Sequence, residues 1–124
     1  MNISQEDFDR PTMVVKINSK YRAGMTDKEV YEACRGWWRL NIERAGNIKL
    51  VLAVANGIIQ GVYVPKNWIS SNNSNNSNNL EETVRYAFEG KGAEDRIRNR
   101  FINRSVRNLF PRGAQNPIAY FNND

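Results

Sequence analysis

The sequence predicts a single α+β domain spanning residues 1–124. The chain has 124 residues, 40% of them hydrophobic, which suits one hydrophobic core rather than two. The spacing of apolar residues switches between helical and alternating patterns in the order β-α-β-β-β-α-β. Two apolar, β-branched runs flank Asn56-Gly57, the dipeptide typical of a two-residue hairpin turn. We therefore expect a small antiparallel sheet with a central Asn-Gly hairpin, packed against one long amphipathic helix and a shorter basic C-terminal helix.

The first part of the chain predicts an arm, a strand and the long helix. Residues 1–11 are polar and end in Arg10-Pro11, so we expect a loosely held N-terminal arm. The apolar run 13–17 predicts the first strand. Thr26 and Glu29 have the spacing of a capping box, which begins a helix, and Gly46 is placed to end it. The apolar face of this helix is predicted to hold Val30, Tyr31, Cys34, Trp37, Trp38 and Ile42.

The hairpin and the elements after it follow from turn residues and alternation. Residues 49–55 and 58–64 form the two arms of the hairpin, and Pro65 is expected to stop the second arm. The Asn/Ser repeat at 70–79 predicts a flexible surface loop. Residues 84–89 alternate as a strand that pairs with the hairpin and ends at Gly90-Lys91-Gly92. Residues 93–110 have roughly helical spacing, and 118–121 predict a closing strand.

The composition argues against several kinds of enzyme. The chain has no His and one Cys, which excludes Ser-His-Asp and Cys-His machinery, His-containing zinc sites and four-cysteine zinc sites. Cys34 lies on the predicted apolar helix face, so we expect it to be structural. The carboxylates show no spacing typical of an acid–base pair or a metal site. We therefore expect a non-enzymatic binding protein without a cofactor.

The sequence also predicts a cytoplasmic protein. No apolar stretch reaches the roughly 20 residues of a membrane span, and the acidic N-terminus lacks the apolar region of a secretory signal. A lone Cys agrees with a reducing compartment.

Positive charge is concentrated in one part of the chain. The whole sequence has 18 Lys+Arg and 13 Asp+Glu. Residues 85–112 hold eight basic and three acidic residues, and seven of the eight cations are Arg. Because guanidinium groups pair with phosphate and stack on flat rings, this segment predicts an anionic, planar partner. A solvated helix face that keeps a small protein in solution is the alternative.

Aromatic residues add two further expectations. Of the adjacent pair, Trp37 is predicted to enter the core, while Trp38 lies at the edge of the apolar face and is a candidate subunit contact. Tyr86 and Phe88 lie just before the Gly90-Lys91-Gly92 break and the Arg residues beyond it, and they could stack on a nucleobase or could simply form the inner face of their strand. The run 112–116 brings together Arg112, Gly113 and two carboxamides, which suit phosphate and base edges.

These residues suggest a family. The run KLVLAVANGIIQGVYVPKNW, then RYAFEG and FINRSVRNLFPRGAQNPIAYFN, resembles small phage and prophage proteins of the first Thoeris anti-defence type, over roughly residues 12–122. Proteins of that family sequester cyclic ADP-ribose isomers made by TIR proteins, without catalysis, in pockets between paired protomers. The resemblance implies a homo-oligomer, at least a dimer, and the sequence predicts the same, because the adjacent Trp residues and the nearly all-apolar hairpin have more apolar surface than one helix can cover. The resemblance also implies the ligand-binding residues Phe88, Asn99, Arg104, Arg107, Arg112 and Asn116.

Two other functions remain open from the sequence. The strand-rich core with an Arg-lined surface is also similar to PUA-like modules that bind modified bases in DNA or RNA. In that case the basic stripe of the predicted C-terminal helix, formed by Arg96, Arg100, Arg104 and Arg107, would follow a phosphate backbone. A phage inhibitor that binds a host protein through the Trp face is the third possibility.

Overall fold

The computed structural model describes residues 3–71, 84–110 and 117–122, which form an α+β fold around a mixed five-stranded sheet. The strands are β1 (Thr12–Lys16), β2 (Leu50–Ala55), β3 (Ile58–Ser70), β4 (Tyr86–Gly92) and β5 (Ile118–Phe121). The helices are α1 (Asp27–Arg35), α2 (Ile42–Ala45) and α3 (Asp95–Phe101), with short 3-10 helices at Gln5–Asp7 and Arg107–Leu109. Most of the predicted Asn/Ser loop at 70–79 lies outside the described residues.

The sheet is mixed, which corrects the prediction of a wholly antiparallel sheet. The strand order is β4-β3-β2-β1-β5, and β1 pairs with β2 in parallel, with Thr12 opposite Leu50 and Lys16 opposite Val54. The reason is the connection between them: a crossover through α1 and α2 returns the chain to the end of the sheet where β1 began. The carboxyl ends of β1 and β2 therefore lie side by side.

The middle of the sheet is built by β2 and β3, which pair antiparallel on either side of Asn56-Gly57. Asn56 has φ 55° and Gly57 has φ 78°, the positive values that a type I′ turn requires at both positions. Every residue of β2 is buried. This strand therefore has side chains in the core on both faces of the sheet.

Two strands are longer than the sequence predicted. β3 continues past Pro65 to Ser70, because the pairing register with β4 shifts between Pro65 and Asn67 and this irregularity accommodates a residue without an N–H donor. β4 likewise continues through the predicted break, pairing Gly90 with Pro65 and Gly92 with Tyr63.

The predicted long helix is divided into two short ones. α1 begins at the Thr26 cap, whose hydroxyl accepts from Glu29 N while the Glu29 carboxylate accepts from Thr26 N, but it ends at Arg35. A side chain at Gly36 would collide with Ala87 of β4, so glycine is needed for this close approach. The chain then runs along β4 and exchanges two backbone hydrogen bonds with Tyr86, of 2.9 and 2.8 Å, through Trp38.

This change of path reverses the predicted positions of the two tryptophans. Trp37 is 42% exposed rather than in the core. Trp38 packs against the core and its indole N–H donates to the Cys34 carbonyl at 2.7 Å. The helical spacing that predicted the opposite arrangement does not apply beyond Arg35.

The core consists of two clusters, one on each face of the sheet. The first includes Met13, Val15, Val30, Cys34 and Phe88, under α1 and α2. The second lies on the side of α3 and includes the following residues: Ile3, Phe8, Val14, Leu52, Phe101 and Val106. Both faces of the hairpin are thus covered within one chain. None of the helices in the described ranges is long and apolar enough to cross a membrane.

The N-terminal segment belongs to the second cluster, which corrects the prediction of a loose arm. Ile3 is fully buried, Phe8 is 5% exposed, and Ile3 N donates to the Ser105 carbonyl at 2.7 Å. The Phe8 ring stacks on Phe121 with a centroid separation of 4.8 Å. The segment is mostly polar in composition, yet the burial of Ile3 and Phe8 is enough to dock it.

Candidate functional site

A cleft of about 390 Å³ opens where β1 and β2 end. We call it the Lys16–Arg107 cleft. Ligands in sheets with parallel strands commonly bind beyond the carboxyl ends of those strands, because the connecting loops diverge there. The described residues that line the cleft are Lys16, Asn18, Val54, Asn56, Gly57, Arg107 and Phe110.

Lys16 and Phe110 form one wall of the cleft. Lys16 is the last residue of β1 and its Nζ lies 4.2 Å from the centroid of the Phe110 ring, a cation–π geometry. Phe110 in turn packs edge-on against Phe121 of β5. The ammonium group is thereby held beside a partly exposed aromatic surface.

Arg107 forms the opposite wall and is held by the hairpin turn. Its Nε and Nη2 donate to the Asn56 carbonyl at 3.1 and 2.6 Å. A side chain at residue 57 would overlap Arg107, so Gly57 is required both for its positive φ and for the place that Arg107 occupies. The guanidinium is therefore positioned before any ligand arrives.

The Asn18 side chain holds the Asn56-Gly57 turn by a hydrogen bond. Its Oδ1 accepts from Asn56 N at 2.8 Å, so the loop after β1 and the β2–β3 turn are joined directly. The Asn18 side chain also lines the cleft and carries an amide NH₂ group that can donate hydrogen bonds.

The lining suits an anionic ligand with a flat ring. It combines an ammonium, a guanidinium, carboxamides and an aromatic ring, and its described part contains no carboxylate, thiol or hydroxyl side chain. Ammonium and guanidinium groups pair with phosphate, and the ring offers an apolar surface. Elsewhere in the described ranges, no group of three Cys, Asp or Glu residues is placed to hold a metal ion.

Six ligand-binding residues were predicted from the sequence. Of these, Arg107 alone is among the described residues that line this cleft. Lys16, Asn18 and Phe110 were missed by the sequence reasoning. One signal was present, because Lys16 is the only charged residue in the apolar run that predicts β1. Arg112 and Asn116 lie outside the described residues.

Phe88 lies in the core, which corrects the prediction that it stacks on a ligand. It is fully buried. Its ring makes edge-to-face contacts with Tyr31 and Trp68, at centroid distances of 5.7 and 5.5 Å. In this arrangement the Phe88 ring has no free face for a nucleobase.

Asn99 and Arg104 are separate from the cleft lining. Asn99 is exposed on α3. Arg104 donates from Nη1 to the Arg100 carbonyl at 2.8 Å, and its Nη2 lies 3.7 Å from the Asp7 carboxylate. Arg104 therefore connects α3 to the N-terminal segment.

Acidic residues of the N-terminal segment partly neutralise the predicted basic stripe. Arg100 Nη1 lies 3.0 Å from the Asp9 carboxylate, and Arg10 pairs with the same group at 2.9 Å. These contacts, mainly the hydrogen bonds from Arg10 and Arg100, hold the pKa of Asp9 far below its usual range. The local charge excess counted along the sequence is thus reduced in three dimensions.

Cys34 has the surroundings of a structural residue. It is a fully buried residue of α1. Burial raises the pKa of its thiol well above the ordinary value, which keeps the group protonated and weakly nucleophilic.

Comparisons of the chain with protein-family models, with curated proteins and with solved structures found no match, so the residues of the Lys16–Arg107 cleft carry the functional proposal.

Proposed function

We propose that this protein binds a small anionic ligand with a planar ring, of the nucleotide class, in the Lys16–Arg107 cleft and holds it without chemical change. The observation that carries the proposal is the convergence of Lys16, Arg107 and Phe110 on one cleft at the carboxyl ends of parallel strands. The two cations match phosphate, and Phe110 offers an apolar surface to a ring.

A binding role without catalysis agrees with the described lining. Hydrolysis or group transfer needs a nucleophile or a titratable acid or base near the ligand. The described lining offers an ammonium, a guanidinium and carboxamides, which position a ligand but are poor proton-transfer groups at neutral pH. The cleft is therefore better suited to holding a ligand than to changing it.

The ligand that we propose is a cyclic ADP-ribose isomer. The proposal combines the cleft chemistry with the resemblance to Thoeris anti-defence proteins, whose action would be sequestration of this signal in the bacterial cytoplasm. The volume of about 390 Å³ is near the lower end of small-molecule sites, which span roughly 300–1,000 Å³. A second copy of the chain would complete the enclosure, in agreement with the implied homo-oligomer.

Titration calorimetry of the full chain with cyclic ADP-ribose tests the proposal. Lys16→Gln and Arg107→Gln each remove one charge-assisted contact, and we expect each to weaken binding by about 1.5–3 kcal/mol, or roughly 10- to 150-fold. Arg96→Gln is the matched control, since its side chain is 86% exposed and forms a surface ion pair with Glu94, away from the cleft lining. Equal affinity in all four proteins would contradict the site.

Recovery of the ligand separates binding from catalysis. The protein is incubated with cyclic ADP-ribose and heated, and the released material is identified by mass spectrometry. Recovery of the intact cyclic compound is expected, whereas a linear or otherwise altered product would show an enzyme.

A further inference from the structure

A second groove, of about 270 Å³, lies on the α1 side of the sheet. Its floor consists of Tyr31 and Tyr63, whose rings meet edge to face at a centroid distance of 5.3 Å. The other described lining residues are Asp27, Lys28, Gly90, Lys91 and Gly92. We call it the tyrosine groove, and it shares no described lining residue with the Lys16–Arg107 cleft.

The groove is open because residue 92 is glycine. Gly92 pairs directly with Tyr63, and residues directly opposite each other in an antiparallel pair point to the same face. A Cβ atom at Gly92 would meet no other atom within 4 Å, so the space beside the Tyr63 ring is empty at that position.

The fold does not require glycine at this position. A Cβ atom at Gly90 would collide with Val64 and Pro65, so packing explains that glycine. Gly92 has neither such a neighbour nor a positive φ. A larger residue would cover the tyrosine rings, which makes the missing side chain the feature that creates the groove.

The polar groups around the floor favour a carboxylate. Lys28 is exposed at the rim and contributes an ammonium group beside the carboxylate of Asp27. The Tyr31 hydroxyl accepts from Gly90 N at 3.0 Å, and a hydroxyl that accepts one hydrogen bond still has its own proton to donate. The Tyr63 hydroxyl, by contrast, donates its proton to the Asp27 carbonyl at 3.4 Å.

We propose that the tyrosine groove is a second ligand site, for a small aromatic carboxylate whose ring packs on Tyr31 and Tyr63 and whose carboxylate pairs with Lys28. Edge-to-face and offset contacts with the tyrosine rings select a flat apolar group. The Lys28 ammonium and the Tyr31 hydroxyl can both donate to a carboxylate, and this selects the anion over its neutral analogue.

The test uses 2-naphthoate as the probe and amide chemical shifts of the full chain as the readout. In the wild type, the probe shifts the amides of Gly90, Lys91 and Gly92 and leaves that of Gly57 in the other cleft unchanged. The neutral analogue, 2-naphthamide, binds at least about tenfold more weakly, because it lacks the charge that pairs with lysine.

Gly92→Leu is the decisive variant, because it fills the groove at a position where a side chain meets no obstacle. We expect it to weaken naphthoate binding at least about tenfold while the melting temperature is kept or raised. Lys28→Gln provides a second variant that changes only an exposed residue, and it should reduce the preference for naphthoate over naphthamide.

Failure of this proposal is distinguishable from failure of the proposed function. Lys16→Gln should leave naphthoate binding unchanged, and Gly92→Leu should leave cyclic ADP-ribose binding unchanged. The second site is contradicted if naphthoate shifts no amide at residues 90–92 up to about 1 mM, if it shifts Gly57 instead, or if Gly92→Leu binds it as well as the wild type.

Discussion

At the scale of single residues, the partner of a charged side chain decides what that side chain can do. Arg100 and Arg104 pair with Asp9 and Asp7 across the N-terminal segment, whereas Arg107 is held by a backbone carbonyl and faces a cleft. A carbonyl oxygen is neutral, so the full charge of Arg107 remains available to an anion.

Replacing Phe88 tests whether it belongs to the core or to a ligand site. Because the ring is fully buried among other aromatic side chains, Phe88→Ala should lower the free energy of unfolding by about 3–5 kcal/mol, measured by urea denaturation. Phe88→Leu keeps most of the volume and should cost less. If Phe88→Ala kept its stability but lost nucleotide binding, Phe88 would be a ligand-binding residue instead.

The Asp9 carboxylate predicts a pH dependence. Its pKa is lowered in the folded protein by hydrogen bonds from Arg10 and Arg100, so the ion pairs stabilise the fold above the unfolded pKa of about 3.9. This contribution is lost as pH falls from that value towards the lower folded pKa. Asp9→Asn should therefore be less stable than the wild type at pH 6, and the difference should shrink between about pH 4 and pH 2. A difference that stays constant over this range would contradict the assignment.

At the scale of elements, α1 covers one face of the sheet and also protects its β4 edge. Arg35 Nε donates to the Phe88 carbonyl at 3.1 Å, and the Tyr31 hydroxyl accepts from Gly90 N at 3.0 Å. Together with the backbone pairing of Trp38 to Tyr86, these contacts satisfy alternate residues along the outer edge. An edge strand whose polar groups are occupied is a poor template for a second chain.

Arg35→Ala should weaken this protection. Removal of the guanidinium leaves the Phe88 carbonyl without that donor, and we expect the free energy of unfolding to fall by about 1–3 kcal/mol. Light scattering should show association at lower protein concentration than for the wild type. Arg96→Ala is a suitable control because it removes an exposed guanidinium from α3. Equal behaviour of the two variants would show that Arg35 does not protect the edge.

At the scale of the whole molecule, the sheet is covered on both faces by the chain itself. The sequence predicted an oligomer partly because the hairpin has more apolar surface than one helix can cover. In the structure, the two core clusters cover this surface. The proposed oligomer depends instead on the family resemblance and on completion of the cleft. Light scattering at micromolar concentration should give at least a dimeric mass, and a monomeric mass would contradict it.

Salt dependence distinguishes a nucleotide-binding protein from a nucleic-acid-binding module. A small ligand with two phosphates should lose roughly tenfold in affinity or less between 50 and 200 mM salt, whereas contacts to six or more phosphates of a polynucleotide lose about 10³-fold or more. The pairing of Arg100 and Arg104 with acidic residues favours the smaller dependence. A steep loss, measured with an oligonucleotide, would support the PUA-like alternative.

Local chemistry along the sequence determined the α+β class, the start of α1 at Thr26 and the strands on either side of Asn56-Gly57, because caps and tight turns depend on neighbouring residues. Only the tertiary structure decided the parallel pairing of β1 with β2, since the choice of partner strand depends on contacts between residues far apart in the chain. It also decided the end of α1, because the close approach of Gly36 to Ala87 involves residues far apart in the chain.

For the candidate site, the basic segment led to Arg107, but Lys16 and Phe110 are brought beside it by β1 and by the chain after α3. Whether a cation is paired and whether an aromatic ring is buried depend on contacts between distant residues, which spacing and composition do not contain.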